Sequence, residues 1–141
     1  MINLEKIRLG FRGWMSTAGM DLDMLVPENY SDSTAELQDV LIEELLESTM
    51  ETTNTPADTI LRGIATYVVA AKKGKGTDAA GDVLYDLKTV FDPDTRKDQT
   101  IDTDIRVQLE EVVQGRGSSQ GKRAKRWRIP LFVTFRAYRN N

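Results

Sequence analysis

Neither cysteine nor histidine occurs anywhere in the 141 residues. The first absence excludes disulfides and thiolate metal sites and fits a reducing cytosol. The second removes the commonest general base and the commonest metal ligand together. No apolar run reaches the length of a membrane span, and the first residues lack the charged-then-apolar pattern of a secretory leader. Proline is scarce, at positions 27, 56, 93 and 130. Two stretches each lack one sign of charge. From Asp21 to Asp58 there are eleven acids and no base, and residues 115–141 hold eight bases and no acid. The net charge of -3 conceals that split. Segregation of this kind concerns partners rather than fold. It allows either neutralisation of one end by the other or contact between the acidic region of one copy and the basic region of the next.

What is present is an ordinary globular composition, 40% apolar and 29% charged, of a length expected to form one domain over residues 1–141. The most legible unit runs from Ile64 to Phe91. Ile64-Ala-Thr-Tyr-Val-Val-Ala-Ala71 is apolar or β-prone on both alternating faces, as in a strand covered on both sides. Lys72-Lys-Gly-Lys-Gly-Thr77 breaks the pattern. From Asp78 the period becomes helical, with Ala80, Val83, Leu84, Leu87, Val90 and Phe91 on one stripe, until Asp92-Pro93 ends it.

Upstream, Asn3 is placed to cap a helix carrying Leu4, Ile7, Phe11, Trp14 and Met15 on one face, with Gly19 as its stop. Gly10 and Gly13 weaken that helix. Residues 20–36 read as an acidic loop, 54–58 as a turn, and Pro93 to Thr103 as a polar connection. Residues 37–53 fit two periods. Leu37, Val40, Leu41, Glu44 and Leu45 make a helical stripe, whereas Val40, Ile42, Glu44 and Leu46 alternate as in a strand. Ile105, Val107 and Leu109 alternate with Arg106, Gln108 and Glu110, a half-buried strand reaching about Val113. Trp127 to Tyr138 is the last strand, with Pro130 suggesting an edge position or a bulge. The two pair most simply as an antiparallel hairpin whose tip, at about 114–126, is a flexible, basic, glycine-rich loop.

Chemistry for catalysis is thin. No serine lies in a nucleophile-elbow or Ser-x-x-Lys setting, and Gly74-Lys-Gly-Thr77 lacks the spacing of a P-loop. Glu43/Glu44 and Asp102/Asp104 read as solvated faces, and Asp21, Asp23 and Glu28 lack EF-hand spacing. No enzyme, cofactor or metal site is expected. The candidate interaction residues are Lys72, Lys73 and Lys75 in the first basic turn, and Arg116, Lys122, Arg123, Lys125, Arg126 and Arg128 beside Trp127 in the second. Such a cluster can dock on an acidic protein surface, remain solvated, or neutralise phosphates while Trp127 stacks on a base.

Three segments resemble, in order, the tail terminator proteins of long-tailed bacteriophages, the lambda-type ring proteins at the head end of the tail tube. They are Lys6-Ile-Arg-Leu-Gly-Phe-Arg-Gly-Trp14 with Ala18-Gly19, then Arg62-Gly-Ile-Ala-Thr-Tyr-Val-Val69 with Gly74-Lys-Gly-Thr77 and its helix, and finally Trp127-Arg-Ile-Pro-Leu-Phe-Val-Thr-Phe-Arg136. The resemblance implies an α+β fold, a mixed, mostly antiparallel sheet flanked by an N-terminal helix and a second helix after the central strand. It also favours a strand for residues 37–53. It further implies a structural virion protein at the head–tail junction, assembled in the host cytoplasm into a ring, expected to be a hexamer. That ring would stop tail-tube polymerisation and offer a surface to the head–tail connector, with DNA only passing through its lumen. Neighbouring neck and tail-completion proteins share the pattern. A small nucleic-acid-binding module is the alternative of a different class.

Overall fold

The computed structural model describes residues 2–27, 39–53, 59–72, 77–102, 104–118 and 126–139. It is α+β, as expected: among the described residues two α-helices lie on one face of a six-stranded mixed sheet, with a short 3-10 turn at Leu22–Met24. Helix α1 is Leu4–Thr17 and helix α2 is Thr77–Val90. The strands are β1 (Leu25–Pro27), β2 (Val40–Thr53), β3 (Thr59–Lys72), β4 (Gln99–Asp102), β5 (Ile105–Gln114) and β6 (Arg126–Arg139), in the spatial order β1-β2-β3-β6-β5-β4. Every pairing is antiparallel except β1 with β2.

Helix α1 starts and stops where its residues dictate. The Asn3 side chain accepts from the Glu5 amide at 2.9 Å. At the other end Gly19 takes φ 85°, which lets the Met20 amide reach the Met15 carbonyl and the Gly19 amide reach that of Ser16, both at 3.0 Å. That pair of bonds satisfies carbonyls the helix cannot, and a side chain at Gly19 would strain it. Gly10 has a separate purpose: a Cβ there would lie 2.4 Å from the Ile101 Cγ2 on β4. The glycine that weakens the helix is the notch that seats the sheet's last strand.

Packing of helices on sheet centres on aromatic rings. Phe11 meets Phe91 edge-on at 5.2 Å and Phe135 at 5.4 Å, and Tyr67 stacks on Phe91 at 5.1 Å. These rings and the inward residues of β3, β5 and β6 form one buried cluster. Arg96 closes its rim, its guanidinium 4.2 Å from the Trp14 ring centre while its Nε donates to the Val90 carbonyl at the end of α2.

Within the stretch that fits two periods, Val40–Thr53 form a strand, as the resemblance favours, because β2 pairs with β3 almost along its full length and buries Val40, Leu41 and Ile42. Several expectations change. The acidic loop and the polar connection each contain a short strand, β1 and β4. Among the described residues helices cover β3 on one face; on the other Ile64, Thr66 and Val68 are half-buried, and Ala70 is buried with Val26 and Leu41. The last strand, β6, is interior rather than an edge. Pro130 is tolerated because its carbonyl accepts from the Gly115 amide just past the end of β5. Its nitrogen faces that same side, where the ladder is running out, so little pairing is lost.

Candidate functional site

The topology brings the two basic stretches of the sequence to one end of the sheet. β3 ends at Lys72 and β6 begins at Arg126, and these two residues are direct register partners. β5 leaves the sheet beside them, and the pairing continues past its end through Ser118, which bridges Arg128 in both directions at 2.7 and 2.9 Å. The glycine-rich segment is therefore tied to β6 at Gly115 and Ser118. Its glycines are seats for rings: a Cβ at Gly117 would lie 2.7 Å from the Trp127 indole, and one at Gly115 would lie 2.7 Å from Pro130 Cγ. Trp127 rests there 46% exposed.

The nine candidate cations divide three ways. Lys73, Lys75, Lys122, Arg123 and Lys125 lie outside the described residues. Lys72 and Arg116 are at the surface, and the Lys72 Nζ lies 3.9 Å from Asp39. Arg126 and Arg128 are instead built into the fold. Arg126, 4% exposed, donates from Nη1 to the carbonyls of Asp39 at 3.1 Å and Ala70 at 3.2 Å. Arg128 donates from Nε to Glu43 Oε1 at 2.8 Å. Their position in a regular strand that abuts β3 explains why they are not free to dock elsewhere.

The acids that meet them were misread in sequence. Glu43 and Glu44 are buried, not solvated. As neighbours on a strand they project to opposite faces. Glu43 takes Arg128 on the face opposite the helices, and Glu44 takes Arg12 of α1 on the helix face, at 2.9 Å from Nε and 2.7 Å from Nη2. Glu44 also faces Tyr67 across the β2–β3 pair. The Tyr67 hydroxyl and Glu44 Oε2 are both buried without a hydrogen-bond partner among the described residues. Burial first, then the adjacent Glu44 charge, push the Tyr67 phenol well above its ordinary pKa. The signal for these pairs was available: adjacent acids on a strand point to opposite faces, so packing on either face buries one of them and packing on both buries the two.

A shallow cavity of about 440 Å³ opens beside the start of α1, lined by Ile2, Asn3, Leu4, Ser48, Glu51 and Leu61. Among the described residues no group of acids is placed to hold a metal ion, and no helix is long and apolar enough to cross a membrane. What the basic end offers is ionic and aromatic contact, with Lys72, Arg116 and Trp127 its accessible described side chains.

No family model and no curated protein matches the sequence. Seven solved chains are similar in structure. One of them, whose name states no function, superposes with a TM-score of 0.59 at 12% identity, over 100% of this chain and 98% of the other. The likeness shows the fold alone.

Proposed function

We propose that this chain is a structural protein of a phage tail, forming a ring at the head-proximal end that stops tube growth and presents the head-joining surface. The observation that carries the reading is the order of its parts. The Lys6–Trp14 segment with its Gly19 stop is α1, Arg62–Val69 lies on the central β3 ahead of α2, and Trp127–Arg136 lies on β6. These are the places that the resemblance assigns to them. Segregated charge supports it too, since a ring needs one surface patch to meet a different one on the next copy. A neck or tail-completion protein of the same pattern is the near alternative. On this reading the chain assembles in the host cytoplasm and ends in the virion, with tail-tube and connector proteins as partners and DNA only crossing the lumen.

The test is capping. Added to tail-tube protein polymerising in vitro, the chain is expected to shorten the tubes and to appear as a ring at one end in negative stain. Tubes of unchanged length with no bound chain would refute the reading.

The rival of a different class, nucleic-acid binding, loses Arg126 and Arg128 to internal contacts but keeps the exposed Trp127 ring. It predicts salt-dependent retention on DNA that disappears when Lys122, Arg123 and Lys125 become Ala. No retention at low salt would remove it.

A further inference from the structure

Among the described residues each edge of the sheet is only half covered. β1 pairs with Ile42, Glu43 and Glu44 alone, so residues 45–53 of β2 have no strand beside them among the described residues. At the opposite edge β4 pairs with Ile105–Val107, and the Leu109 amide donates to the Arg96 carbonyl. Residues 110–114 of β5 then run on without a described partner on that side. The two open stretches lie at opposite ends of the strands. β1 covers the end of β2 where Val40 meets Ala71, and β4 covers the end of β5 where Ile105 meets Arg139. The outline is a sheared ribbon with one notch at each edge.

An uncovered strand edge is a template for another strand. Here the geometry points to a second copy of this chain: the open stretch of β2 on one molecule pairs with the open stretch of β5 on the next. Along the order β2-β3-β6-β5 every neighbour is antiparallel, so the next molecule's β2 also meets β5 antiparallel when the order is repeated. The notches require each added copy to shift along the strands. A constant stagger is what a closed circle of tilted strands needs.

Side chains at the joint agree. Met50 and Val113 sit in the open stretches, 48% and 45% exposed, and both lie on the face that the helices leave bare, opposite Arg62 and Phe132 respectively. Placing one against the other extends across the joint the apolar band of Leu45, Phe132 and Val113. Bulges fall within or beside both open stretches, at Ser48/Met50 and Leu109/Glu111, and add twist to both edges. This deepens the ring-forming reading and rests on it for the identity of the partner.

The absence of native cysteine makes the test clean. Met50→Cys, Val113→Cys and the double variant are oxidised, or treated with a short bis-maleimide, at concentrations where the wild-type chain associates or in the presence of tail tubes. The expected result is a ladder from the double variant, a dimer and nothing larger from a mixture of the two single variants, and monomer from either single variant alone. Dimers from one single variant would overturn the proposal in favour of a two-fold contact. No ladder in a chain that still caps tubes would overturn it and leave the functional reading standing. A ladder without capping would support it and refute that reading. A chain that stays monomeric at every concentration, with or without tubes, would defeat both.

Discussion

At the scale of single residues, the buried Glu44 carboxylate sets the sharpest expectations. Its Arg12 partner is only partly exposed, so Arg12→Ala leaves a charge inside the protein with nothing to balance it. Breaking such a pair is expected to destabilise by about 3–5 kcal/mol, read as a lower urea midpoint at unchanged slope. Arg116→Ala, at an exposed site with no described ion pair, should stay within about 0.5 kcal/mol of wild type in the same assay. Tyr67 gives a pH dependence. Its pKa is raised on folding, so the folded state holds the phenol proton while the unfolded chain, with a phenol pKa of about 10, releases it. Stability from this group is therefore complete below about pH 10 and falls above it, by up to about 1.4 kcal/mol per pH unit. Tyr67→Phe should flatten that alkaline decline in urea titrations run from pH 8 to 11.

At the scale of elements, α1 reverses a familiar rule. Gly→Ala inside a helix ordinarily stabilises by about 1 kcal/mol, but at Gly10 the new methyl would collide with Ile101. Gly10→Ala should therefore lower the thermal midpoint in the native background and raise it in an Ile101→Ala background. A cycle showing the two changes to be additive would show that the notch is not there. The helices were plain in the sequence because each carries one apolar stripe and an explicit stop. So were β5 and β6, whose alternation is clean. β1 and β4 were not, because three or four residues carry no periodicity. β2 was divided between two periods because its adjacent apolar and acidic residues serve both faces of a sheet. The basic cluster was legible as charge, whereas the commitment of Arg126 and Arg128 to the fold depends on β3 and β2 lying alongside, which no local pattern encodes.

At the scale of the whole molecule, opposite charges are kept at different ends of the chain in spite of the internal Glu43–Arg128 pair. The protein should therefore bind a cation-exchange resin at pH 7 and low salt despite its net charge of -3. Replacing Lys122, Arg123 and Lys125 by Ala should abolish that retention without lowering the thermal midpoint. Loss of both together would mean that these lysines and this arginine support the fold instead.

The two adjacent glutamates of β2 have one more effect. Each reaches its arginine only from its own side of the sheet. A slip of β2 by one position against β3 would put one glutamate in the other's place and leave one acid and one guanidinium group without each other. One of the two inner ion pairs is thus forfeit in any such misalignment, and a chain with Glu43 and Glu44 replaced by leucine would keep its greasy interior while losing that distinction.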